Sequence, residues 1–116
     1  LNEDLMLAKT NRVNILFDYY GLLLTDKQQI FVKLYFHDDY SLGEIAAEFQ
    51  ISRQAVYEHI KRAEAVLEDY ELKLQLHDKH KQRQIVIQQL EQLVAVWEPV
   101  SKRQSLALLE QLSEIE

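Results

Sequence analysis

Cysteine is absent from the 116 residues, and only two glycines, Gly21 and Gly43, and one proline, Pro99, occur. Without cysteine there is no disulfide framework and no thiol chemistry, which fits a reducing compartment. So few glycines and prolines exclude most tight strand-to-strand turns, so an all-α chain is expected. Isolated glycines also supply no phosphate-cradling loop. No apolar run approaches the roughly 20 residues that span a bilayer, and nothing reads as a signal peptide. The expectation is a soluble, cytoplasmic protein without cofactor. Hydrophobic residues still make up 47% of the chain, enough for one core and a helical extension.

Positive charge is scarce as well. The net charge of −6 argues against a strongly basic nucleic-acid binder. Its distribution qualifies that reading. Between residues 52 and 63 stand Arg53, Lys61 and Arg62 against Glu58 alone, whereas residues 1–51 carry eight acids against four bases. A short positive strip in an acidic chain supports a few phosphate contacts and salt-sensitive affinity.

That strip lies in SLGEIAAEFQISRQAVYEHIKRAE, residues 41–64, around which the chain is organised. Ser41 is a natural N-cap and Glu44 completes a capping box, so a helix starts at Leu42. Ile45, Ala46 and Phe49 fall on one face. Gln50-Ile51-Ser52 breaks the pattern, and Ser52 caps a second helix. There Ala55, Val56, Ile60 and Ala63 line one side, and Arg53, Gln54, Tyr57, Glu58 and Lys61 the other. Small Ala46 permits a close crossing, Ile51 plugs the turn and Val56 closes the wedge. This is a helix-turn-helix pattern whose polar face would read nucleic acid. The bland competitor is a helical hairpin with a solvated outer face. The run Ile51 to Val56 resembles the recognition-helix start of bacterial helix-turn-helix proteins, above all the sigma-factor region-four class.

The flanking segments read as scaffold and extension. Leu5, Ala8, Val13, Leu16, Phe17 and Tyr20 form a helical stripe that Leu23 extends. Gly21 either loosens the helix end or admits a close neighbour. Thr25 with Gln28 is a second capping box, and Ile30, Phe31, Leu34 and Tyr35 form the buried side of the next helix. After Ala63 the rhythm Val56, Ile60, Ala63, Leu67, Tyr70, Leu74 is heptad-like and extends the recognition helix to about residue 81. This long helix either packs on the first helix or pairs with another subunit through an exposed seam that includes Val66, Leu72 and Leu76, and mixed packing is expected. Residues 82–97 then carry Ile85, Val86, Leu90, Leu93, Val94 and Trp97 as another amphipathic helix. Pro99 breaks the chain, Ser101 with Gln104 suggests a third capping box, and Leu106, Leu108, Leu109, Leu112 and Ile115 make a last helix. The expected division is a helix-turn-helix domain at 1–81 and a C-terminal oligomerisation extension at 82–116.

Residues 11 to about 76 resemble the YlxM family of Gram-positive bacteria. The matching motifs are Leu23-Leu24-Thr25-Asp26-Lys27-Gln28, Asp38-Asp39-Tyr40-Ser41-Leu42, Ser52 to Tyr57, and Ile60-Lys61-Arg62. The resemblance implies a DNA-binding role and a link to the signal recognition particle pathway. It adds the particle's RNA and protein to duplex DNA as partners.

Other chemistry reads weakly. His77 and His80 stand at metal-ligand spacing, but no third ligand is evident, and a solvated helix face explains them better. His37, Asp38 and Asp39 read as loop and capping residues, and no catalytic set is expected. Within the strip, Glu58 either pairs with Arg62 four residues on or accepts from a cytosine amino group. Tyr57 stacks on a base, packs near phosphate, or simply rests on the helix that follows Thr25.

Two functions follow. In the first, a nucleic-acid-binding regulator sets Arg53 and Gln54 against base edges with Tyr57 and Glu58 in support, while Ser52, Lys61 and Arg62 hold phosphates. In the second, a non-catalytic adaptor of the signal recognition particle machinery keeps the helix-turn-helix as scaffold and binds protein through its apolar C-terminal helices. A homodimer held mainly by the C-terminal half is expected in either case, against a compact monomer whose last helices cap its own core.

Overall fold

A computed structural model describes residues 2–115. Six helices follow one another: α1 (Asn2–Tyr20), α2 (Asp26–Val32), α3 (Leu42–Phe49), α4 (Arg53–Leu74), α5 (Leu76–Val94) and α6 (Pro99–Glu114). A 3-10 turn, Gly21–Leu23, follows α1, and one π-helical turn, Lys33–His37, continues α2. Among the described residues there is no strand, so the chain is all-α. The chain forms two compact units that meet between Gln75 and Leu76, ahead of the boundary expected at 81.

The first unit is built on α4, against which α1, α2 and α3 all pack. Val56, Ile60, Ala63 and Leu67 are buried along it at the expected spacing. They meet Val13, Leu16 and Tyr20 of α1, Phe31 and Val32 of α2, and Ile45 and Ala46 of α3. Two polar ties register α1 on α4. The Arg12 guanidinium donates twice to the Glu68 carboxylate at 3.0 Å, which holds the guanidinium above its ordinary pKa. Tyr20 donates its hydroxyl to buried Glu71 at 2.6 Å and stacks on Tyr70. With Lys9 to Glu64 at 3.1 Å, partners advance together along both helices, so α1 and α4 run parallel.

Both expected capping boxes on this unit are formed. Thr25 accepts from the Gln28 amide at 3.2 Å and Ser41 from the Glu44 amide at 3.0 Å, with both side chains reaching back. Gly21 admits a close neighbour: a methyl group there would stand 3.1 Å from the Phe17 ring. His37, expected in the loop, ends the π-helical turn and meets Asn14 of α1, ring Nδ1 to Oδ1 at 2.9 Å.

Several expectations are corrected. Leu5 and Ala8 are exposed, because the core against α4 begins only at Val13. Leu23 and Ile30 are exposed, and Leu24 and Val32 are buried in their place. The long helix does not reach 81. It ends at Leu74 with Gln75 left-handed at φ 55°, a stop that has no glycine or proline to announce it. Val66 packs on the core rather than joining an exposed seam, while Leu72 and Leu76 are exposed as expected.

The second unit is a hairpin of α5 and α6. Ile87, Val94 and Leu109 are buried, with half-buried Leu106 against them, and Gln84 donates to the Ser113 hydroxyl at 2.7 Å. The third capping box does not form. Helix α6 starts at Pro99, whose missing N–H costs nothing in a first turn, so Ser101 lies inside the helix and donates to Glu98. His77 and His80 are half-buried on α5 rather than fully solvated. Among the described residues no three His, Asp or Glu side chains gather as a metal site, and no helix is long and apolar enough to cross a membrane.

Candidate nucleic-acid interface

The helix-turn-helix consists of α3, a three-residue turn and the first turns of α4. Gln50 closes α3 in the left-handed region at φ 57°, which lets the Ile51 amide reach back to the Ala46 carbonyl at 3.1 Å. Ile51 is half-buried against the core. Ser52 then accepts from the Ala55 amide at 3.0 Å and starts α4. Ile45, Ala46 and Val56 are buried where the helices cross. This locks one face of α4 inward, so helical periodicity alone sends Arg53, Gln54, Tyr57, Glu58, Lys61 and Arg62 outward. All six, and Ser52, are exposed.

The exposed face is loosely cross-linked within itself. Glu58 sits between Gln54, whose amide donates to it at 3.5 Å, and Arg62 at 3.8 Å. The intrahelical pairing of Glu58 with Arg62 is therefore present at the limit of an ion pair. Lys61 lies 5.5 Å from the centre of the Tyr57 ring and 3.7 Å from Glu64. Tyr57 is exposed beside Lys61, so its ring face is shared with a cation. Neighbouring Lys9, then burial, pushes the Lys61 ammonium below its ordinary pKa, opposed by Glu64. Such exposed pairs contribute about 0–1 kcal/mol each, little enough for a phosphate to displace.

Two contributors carry no motif in the sequence. Gly43, in the first turn of α3, lies against Arg53: a methyl group there would stand 3.8 Å from the Arg53 Nε. The guanidinium stem is thus laid on α3. Lys27 and Arg62 flank His59, which stands edge-on to Phe31. Burial first, and then these two cations, hold the imidazole below its ordinary pKa. A bare glycine one residue after a helix start was the available signal for the first. The second depends on α2 meeting α4 and has no local signal.

Comparison with known proteins follows the same lines. Residues 7–107 match the UPF0122 family, described as "Putative helix-turn-helix protein, YlxM / p13 like". A UPF0122 protein of Halalkalibacterium halodurans is 52% identical over 111 residues, covering 96% of this chain and 100% of its own. One from Exiguobacterium sibiricum is 53% identical over 106 residues, covering 91% and 97%. One from Bacillus cereus strain Q1 is 55% identical over 97 residues, covering 84% and 88%. With a match spanning most of the chain and an observed helix-turn-helix, this chain belongs to the UPF0122 family of YlxM- and p13-like helix-turn-helix proteins.

Proposed function

We propose that this chain is a non-catalytic regulatory protein that binds nucleic acid through the first three turns of α4. The observation that carries the proposal is the exposed set Arg53, Gln54 and Tyr57 at the capped start of a helix, with the Arg53 stem laid along α3. A recognition helix meets base edges with its N-terminal residues, and those are the residues presented. Arginine and glutamine there offer bidentate donors for guanine and adenine edges. Ser52, Lys61 and Arg62 bracket them as phosphate contacts, the serine hydroxyl keeping its own proton to donate while it caps the helix. The part played in the signal recognition particle pathway rests on the family resemblance alone, so the particle's RNA stands beside duplex DNA as a target.

The test is a selection from random DNA duplexes and structured RNAs, with the particle's RNA included. An enriched duplex or RNA whose binding falls about tenfold or more in Arg53→Ala, against a small loss for unrelated sequence, is the expected result. Enrichment of nothing removes the proposal. A protein partner would instead be captured equally by the native chain and by the Arg53→Ala, Gln54→Ala double variant.

A further inference from the structure

The second unit carries a surface that nucleic-acid binding does not use. Along one face of α5 run Lys79, Arg83, Val86, Leu90 and Leu93, spaced four, three, four, three, and Trp97 follows four residues on. All but Leu93 line two adjoining grooves between α5 and α6, of about 380 and 270 Å³, which share Leu90 and Leu112. Leu93 is 65% exposed and Trp97 51%. Trp97 stands just past the helix end, held by its amide to the Val94 carbonyl at 2.9 Å. The interior that α5 and α6 make for themselves is small, with Ile87, Val94 and Leu109 as its buried residues. More large apolar side chains of this unit lie outside than in.

We infer that this seam pairs with the same seam of a second copy, α5 antiparallel to α5, in a two-fold four-helix bundle. Three features select this occupant. The first is spacing: from Arg83 to Leu93 the steps three, four, three read the same in both directions, so that stretch of the reversed seam matches itself layer by layer, as an isologous interface demands. Arg83 then falls opposite Leu93 and Val86 opposite Leu90, about an axis at Gln88, and Lys79 comes level with the turn that carries Trp97. The second is charge. The seam is cationic at one end and aromatic at the other, with Glu98 beside the tryptophan, so reversal sets cations over an indole face and an acid. Parallel α5 helices would put cation on cation. The third is area. A face two helices wide and about 28 Å long presents on the order of 600 Å² per copy, which reaches the lower range of specific interfaces. This inference is independent of what α4 binds.

Because the chain has no cysteine, introduced thiols report the pairing directly. Differently tagged Arg83→Cys and Leu93→Cys chains are mixed, incubated and oxidised. A disulfide between the two variants is expected, with little or none within either variant alone. Leu93→Cys linking to itself would show parallel helices and overturn the inference. Absence of any link, with the native chain sedimenting as a monomer at micromolar concentration, would do the same. In parallel, Leu90→Glu is expected to raise the dimer dissociation constant at least tenfold with helix content unchanged. A dimer that is indifferent to this change also overturns the assignment. Should that variant lose its helices, the thiol pairing still decides.

Discussion

Tyr20 and Glu71 show what one residue pair costs and contributes. The carboxylate is buried on α4 and receives the tyrosine hydroxyl at 2.6 Å, while the ring stacks on Tyr70. Removing only the hydroxyl takes a donor from a buried acid and leaves the packing intact. Tyr20→Phe is therefore expected to cost about 1–3 kcal/mol, read as a lower urea midpoint at unchanged slope. The Arg12–Glu68 pair, although bidentate, is half in water, and Arg12→Ala should cost less than 1 kcal/mol. Equal costs for the two changes would contradict the burial argument.

At the scale of the element, the decisive features are the helix ends. Gln50 and Gln75 both take left-handed backbone, at φ 57° and 55°, where a side chain is strained and glycine is not. Each Gln→Gly change should stabilise the chain by about 0.5–1 kcal/mol, less what glycine adds to the freedom of the unfolded chain. Thermal unfolding of the two single variants measures this, and a fall in midpoint for both would show that the glutamines hold their ends by contacts that outweigh the strain. Ser52 is the opposite case. Its hydroxyl satisfies the Ala55 amide at the start of the reading helix, so its loss would both destabilise α4 and loosen the placement of Arg53.

For the whole molecule, charge and assembly combine. The net charge is −6, so affinity for a polyanion depends on a few cations placed together. Lys61 and Arg62 make two phosphate charges per copy. With a slope of about −0.9 per neutralised phosphate, a dimer on duplex DNA should show a log–log salt slope near −4 and a single copy near −2. The Lys61→Ala, Arg62→Ala double variant should bring either close to zero. Filter or anisotropy titrations from 50 to 200 mM salt separate these outcomes. A slope much steeper than −4 would bring in cations of other elements, Lys27 first, since its charge already acts on His59 of α4.

Local chemistry was enough for much of this protein. Ser41, Thr25 and Ser52 each stand three residues before the amide they cap, and the buried positions of α3 and early α4 repeat at helical spacing, so those elements and their outward faces follow from the sequence alone. Their partners are near neighbours in the chain, and nothing distant competes for them. Other features were settled elsewhere. Leu5 and Ile30 have the composition of core residues, yet lie outside because the helices they would face are not there to cover them. The end of α4 at Leu74 carries no breaker residue; it is a left-handed glutamine, which a sequence does not distinguish from a helical one. Arg53 lying on Gly43, and Lys27 beside His59, require α3 and α2 to be placed against α4 first. Burial and electrostatic neighbourhood depend on where other helices arrive, and that is a property of packing between distant segments rather than of any local run of residues.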